Sequence, residues 1–175
     1  MKKIVVIGSG GAGKSTFSRR LGLRLGIEVI HLDRLYWKPG WTETPAAEWE
    51  DLVRGVIASR DAWIVDGNYS GTLGTRIQAS DTIIFLDLPR MLCLWRVVKR
   101  AFKYHGITRP DIADGCTERI DLAFLKWVWR YPQRSRPKVL ALLDAHRQQR
   151  TIIRLRSPVE VEQFLARTAP PCACS

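Results

Sequence analysis

Gly8-Ser9-Gly10-Gly11-Ala12-Gly13-Lys14-Ser15 holds the densest chemistry in the chain, because it satisfies G-x-x-x-x-G-K-[ST] in full. Glycines at these spacings let the backbone curl until successive N–H groups point at one place, and phosphate oxygens are what such a nest accepts. A helix starting at Ser15 would add the partial positive charge of its N-terminus. The motif then assigns Lys14 to the β- and γ-phosphates of a nucleotide and the Ser15 hydroxyl to Mg²⁺. Gly8, Gly10, Gly11, Ala12, Gly13, Lys14, Ser15 and Thr16 are therefore expected to bind ATP. Gly8-x-Gly10-x-x-Gly13 also scans as a dinucleotide fingerprint, but Lys14-Ser15 argues against it.

Other side chains with chemical potential are spread along the chain. Asp33 and Asp66 each follow a short apolar run, and Asp33 is expected to accept a substrate hydroxyl proton, to orient that hydroxyl, or to cap a turn. Asp87 precedes Leu88-Pro89 and reads as a cap for the next helix. Arg96 and Arg100 lie four apart, on one helical face, and could meet a triphosphate together. Trp127, Trp129 and Tyr131 could stack a base, but helical spacing favours packing. His31, His105 and His146 have no spacing that suggests metal or acid–base work. Cys93, Cys116, Cys172 and Cys174 form no CxxC pair, so reduced thiols in a cytoplasm are expected rather than zinc or disulfides.

These residues need a frame. Ile4-Val5-Val6-Ile7, Glu28 to Leu32, Ala62 to Asp66, Thr82 to Asp87 and Thr151 to Leu155 read as five strands, the first a fully buried one. Phe17, Leu21 and Leu25 give Ser15–Leu25 an amphipathic helix that Gly26 stops. Further helices are expected from Pro45 to about Ser59, from Pro89 through Arg100, over 117–130 and 137–149, with the last two split near Pro132 and Pro137. Ser157-Pro158-Val159-Glu160 is a capping box with proline at N1, opening a final helix. Strands alternating with helices predict an α/β protein with a parallel sheet. Residues 169–175, with two prolines and no period, are expected to be a disordered tail.

With the phosphate loop in place, the chain resembles the adenylate kinase-like branch of P-loop small-molecule kinases up to about Arg167. Val65-Asp66-Gly67 matches the strand-ending Asp-Gly of that family. Phe85-Leu86-Asp87-Leu88-Pro89 followed by Arg96 and Arg100 matches its fourth strand, Asp-x-Pro turn and Arg-x-x-x-Arg helix. Arg119 and, eleven residues on, Arg130 resemble its two lid arginines. A closer resemblance is to bacterial proteins labelled topology modulation protein. It is carried by His31-Leu32-Asp33, Trp37-Lys38-Pro39-Gly40-Trp41, Asp66-Gly67-Asn68-Tyr69 and Trp127-Val128-Trp129-Arg130. One departure stands out: adenylate kinases follow their Asp-Gly with Phe-Pro-Arg, whose arginine helps hold the acceptor phosphate, and here the stretch is Asn68-Tyr69-Ser70. An acceptor other than AMP is expected.

The resemblance implies a three-layer P-loop fold with a five-stranded parallel sheet, strand order 2-3-1-4-5. It implies one domain over 1–168, with a substrate segment at about 33–60 and a lid at about 103–137. It makes Asp66 a holder of Mg²⁺ beside Ser15, and Lys14, Asp33, Asp66, Arg96, Arg100, Arg119 and Arg130 the catalytic set. Arg156 and Pro158 fall where these kinases wrap adenine with backbone. The activity implied is Mg-ATP-dependent phosphoryl transfer to a nucleotide, nucleoside or small hydroxylated metabolite.

Composition bounds the alternatives. The 175 residues, mean hydropathy −0.12 and 46% hydrophobic content describe one globular domain, and no apolar run reaches the roughly 18 residues of a membrane span. The formal charge of +11 lies wholly within residues 89–156, where 16 Lys and Arg face 5 Asp and Glu. Such a block calls for an anionic partner. The alternative reading is therefore an ATP-binding regulatory protein acting on DNA topology through its basic face, with nucleic acid less favoured than ATP and a small acceptor. The oligomeric state is not legible.

Overall fold

The computed structural model describes residues 1–104, 106, 112–117 and 121–168. Arg119 and the expected tail at 169–175 lie outside these residues. The chain runs β1 (Lys3–Gly8), α1 (Lys14–Leu25), β2 (Val29–His31), α2 (Leu32–Tyr36), β3 (Trp37–Lys38), β4 (Thr42–Glu43), α3 (Ala46–Ala58), β5 (Trp63–Asp66) and α4 (Ser70–Ala79). It continues through β6 (Thr82–Leu86), α5 (Arg90–Lys103), α6 (Leu122–Arg134), α7 (Arg136–His146), β7 (Thr151–Leu155) and α8 (Pro158–Arg167).

Five strands form one parallel sheet in the order β2-β5-β1-β6-β7. Because side chains alternate along a strand, β1 feeds two cores. Val5 and Ile7 join Val65, Ile83 and Phe85 against Trp49 and Val53 of α3 and Leu73 and Ile77 of α4. Ile4 and Val6 join Ile64, Ile84 and Leu86 against Phe17 and Leu21 of α1, Val97 of α5 and Leu165 of α8. A sheet covered on both faces needs apolar residues at every position, which is why β1, β5 and β6 read as continuous runs. No helix among the described residues is long and apolar enough to cross a membrane.

Three local expectations are corrected. The second strand does not reach Leu32 and Asp33 does not close it: β2 stops at His31, Leu32 opens α2, and Asp33 sits in the first turn of that helix. Asp87 does not cap α5, whose N-cap is Pro89 with no side-chain bond. Its carboxylate instead accepts from Arg136 Nε (2.8 Å) and Arg154 Nε (2.8 Å). Burial pushes the Asp87 pKa up, but the hydrogen bonds from these two guanidinium groups outweigh it and hold the carboxyl below its ordinary value. Pro132 lies inside α6, and the break falls at Ser135. Pro132 removes one backbone donor from the last turn of α6.

Candidate active site

The carboxyl ends of β1, β2 and β5 converge, since Val6 pairs with Asp66 and Asp66 with His31 in parallel register. Beyond that edge lies a cavity of about 780 Å³. Its lining includes Gly10, Gly11, Ala12, Gly13, Lys14, Ser15 and Thr16, together with Asp33, Asp66, Arg96, Arg100 and Pro158.

The loop from β1 to α1 has the conformation its glycines permit. Gly13 is the N-cap of α1 at φ 88, and Gly11 has φ 76; both lie in the left-handed region that disfavours a side chain. A Cβ on Gly11 would sit on the Cys93 carbonyl of α5, so that helix packs directly on the loop. No side chain caps α1 and its first turn holds no acid, leaving the helix N-terminus compatible with an external anion. Lys14 is half-buried, and its Nζ donates to the carbonyls of Gly8 (3.0 Å) and Ser9 (3.1 Å). Desolvation lowers its pKa, against the opposing pull of Asp33 and Asp66.

Asp66 is buried at the end of β5, and His31 Nδ1 lies 3.1 Å from both its oxygens. The Nδ1–H tautomer lets the imidazole donate to that carboxylate and fix its plane. Asp33 accepts a 2.6 Å hydrogen bond from the Tyr69 hydroxyl. Burial raises the Tyr69 pKa, and the Asp33 charge raises it further, so the phenol keeps its proton and stays a donor. Tyr69 is wedged between Tyr36 and Trp49, with ring centroids 4.6 and 5.0 Å away.

The turn after β5 is clamped from both sides. Asn68 accepts from Gly8 N (3.1 Å) and donates to Gly8 O (2.7 Å), tying this turn to the phosphate loop. From beneath, the fully buried Arg76 of α4 donates to the carbonyls of Gly67 (2.9 Å), Asn68 (2.9 Å) and Tyr69 (3.0 Å). Burial pushes the Arg76 pKa down to about 10.

The remaining expected residues separate. Arg96 reaches the loop, with Nη1 3.4 Å from the Ala12 carbonyl, and Arg100 has its guanidinium 5.9 Å from the Phe124 ring centre. Arg130 is exposed on α6 and does not line the cavity. Arg156 lines a neighbouring crevice with Asp87, Arg136 and Arg154, while its backbone N donates to Glu160. Residues 112–117 meet the β3–β4 hairpin directly: Gly40 N donates to Gly115 O (3.2 Å) and Trp41 Nε1 to Thr117 O (3.0 Å).

Sequence reasoning passed over His31, Asn68 and Arg76. His31 and Asp66 could have been paired by noting that both close strands expected to be neighbours. Arg76 carried no signal, since α4 itself went unread.

A divalent ion fits this donor set in one way. Among the described residues no group of three or more His, Cys, Asp or Glu could hold a metal. The cavity offers the Ser15 hydroxyl and the Asp66 carboxylate, so an ion there would take its other ligands from phosphate and water, as Mg²⁺ commonly does.

No protein-family model matches the chain, and a search of curated protein sequences finds no match. Among solved structures, it is similar to the unliganded crystal structure of a sugar kinase from Janibacter sp. HTCC2649. The two are 17% identical, and the match covers 95% of this chain and 93% of that one with a TM-score of 0.51. At that identity the likeness shows the fold alone: an α/β architecture shared with a kinase.

Proposed function

We propose that the protein is a P-loop phosphotransferase of the adenylate kinase-like type, moving the γ-phosphoryl group of Mg-ATP to a small acceptor. One observation carries this reading: a complete phosphate loop, with Lys14 at its centre, opens into the same cavity as two carboxylates, Asp33 and Asp66. A structural glycine turn would need neither the left-handed Gly13 at an uncapped helix start nor a lysine folded back onto the loop carbonyls.

The residues divide the work. The N–H groups from Gly10 to Ser15 bind and orient phosphate oxygens, and Lys14 exchanges its bonds to Gly8 and Ser9 for bonds to phosphate. Ser15 and Asp66 would hold Mg²⁺, which would neutralise phosphate charge. His31 keeps the Asp66 carboxylate in one plane. Arg96 and Arg100 approach from α5 to stabilise charge on the transferring group. Asp33, oriented by Tyr69, takes the proton of the acceptor hydroxyl. The lid arginines Arg119 and Arg130 would join on closure, and Pro158 would flank the base.

Titration calorimetry with Mg-ATP tests this reading. The wild type should bind, and Lys14→Ala should abolish turnover and weaken binding at least about tenfold. Equal affinity in both proteins would remove Lys14 from the site, and no binding by the wild type would remove the whole reading.

A further inference from the structure

The segment between β2 and α3 contributes Asp33, Trp37, Trp41 and Glu43 to the cavity lining. Trp37 and Trp41, 5.3 Å apart and nearly perpendicular, belong to the hairpin β3–β4 and both line the cavity. Trp41 has φ 62, a conformation a bulky residue rarely adopts. It is kept there by its indole N–H bond to the Thr117 carbonyl. A strained, tethered aromatic ring on a cavity wall is a feature of ligand clamps.

Two carboxylates of this segment line the cavity, each fixed by a phenol. Tyr69 donates to Asp33 (2.6 Å) and Tyr36 donates to Glu43 (2.9 Å). An ionised carboxylate has about four acceptor positions, so each retains capacity for ligand donors. The cations lining the cavity among the described residues are Lys14, Arg20, Arg96 and Arg100, all on α1 or α5. Arg20 is engaged by Glu162, and Lys38 of the hairpin is held by Glu48 on the outside.

Resting on the kinase reading above, we propose that the acceptor is a neutral, polyhydroxylated molecule, a sugar, polyol or nucleoside. Its apolar face lies on Trp37 and Trp41, and its hydroxyls donate to Asp33 and Glu43. Among the described residues of this segment, a phosphate-bearing acceptor meets two carboxylates where it would need cations, and is disfavoured. In the transfer, the acceptor hydroxyl oxygen forms a bond to the γ-phosphorus and its proton passes to Asp33. The bond from that phosphorus to the β–γ bridging oxygen breaks, and ADP leaves with the electron pair.

The test is calorimetry on the full chain with Mg-ADP present, coupled to an ATP-consumption assay. Glucose, ribose, adenosine and thymidine are each compared with their own monophosphate. At least one neutral compound should bind about tenfold or more tightly than its phosphate ester and be turned over. The sugar and nucleoside arms tell the two sources apart. Glu43→Gln should raise the KM of that compound about tenfold while leaving Mg-ADP affinity unchanged, and Glu43→Lys should shift preference toward the phosphate ester. Equal or tighter binding of the esters, or binding of no neutral compound, would overturn the proposal. Failure of Mg-ADP itself to bind would instead refute the kinase reading beneath it.

Discussion

Asp33 and Asp66 lie at the same sheet edge, yet their surroundings assign them different work. Asp66 is enclosed, with both oxygens engaged by one imidazole nitrogen, so it is a fixed charge. Asp33 is half-buried, lines the cavity and accepts from the Tyr69 phenol through Oδ1. Asp33→Asn is therefore expected to lower acceptor-dependent turnover about 10²-fold with little change in ATP affinity. Asp66→Asn should instead move the Mg²⁺ dependence to higher concentration. Steady-state kinetics with acceptor and Mg²⁺ varied separately would check both, and full acceptor turnover by Asp33→Asn would reduce Asp33 to a turn residue. Lys14 and Ser15 were legible because their motif is contiguous. The partners of Asp66 and of Gly8 were not, because His31 and Asn68 acquire their roles only through strand register and the turn that follows it.

Among the elements, strands and long helices could be read wherever burial imposed a period, and Gly26 does end α1 in the left-handed conformation. Helix α4 could not. Ser-Gly-Thr-Leu-Gly-Thr-Arg-Ile-Gln-Ala holds two glycines and two threonines, so propensity argues against a helix and only Leu73 and Ile77 supply a stripe. Tertiary packing of those two residues beneath the sheet overrides the propensity. The same helix delivers Arg76 to three carbonyls of the turn that presents Asn68 and Tyr69. Arg76→Ala leaves those acceptors unpaired and opens a buried void, with an expected cost of about 3 kcal/mol. Urea denaturation should show a lower midpoint with an unchanged slope. A loss under about 0.5 kcal/mol would mean that the turn holds itself. Asp87 teaches the same lesson about sequence. Its place before Leu88-Pro89 imitates a cap, while its partners Arg136 and Arg154 are 49 and 67 residues away.

At the scale of the molecule, the question is whether the basic block at 89–156 makes one anionic-partner face. Seven of these cations have partners or line the cavity. Arg96 and Arg100 line the cavity, and Arg136 and Arg154 are engaged by Asp87. Arg90 has its guanidinium 3.9 Å from the Trp129 ring centre, Arg147 pairs with Asp144, and Arg150 donates to the Gln78 carbonyl (2.7 Å). Those seven cations are committed to the cavity, a carboxylate, a carbonyl or a ring, whereas Lys126, Arg130, Arg134 and Lys138 stand exposed on α6 and α7. A DNA-binding face neutralising six or more phosphates would lose about 10³-fold in affinity or more between 50 and 200 mM salt. We expect duplex DNA to bind this protein more weakly than about 10 μM at physiological salt, within the non-specific range. Mg-ATP affinity should change by less than about tenfold over the same interval, because the nucleotide contacts come from a few half-buried groups within a cavity, which salt screens less than an exposed stripe. Fluorescence anisotropy with labelled duplex and calorimetry with Mg-ATP, both across that salt range, would decide it. Submicromolar duplex binding with the steep slope would restore the DNA reading, and the pairs around Asp87 and Trp129 would then have to open to supply its contacts.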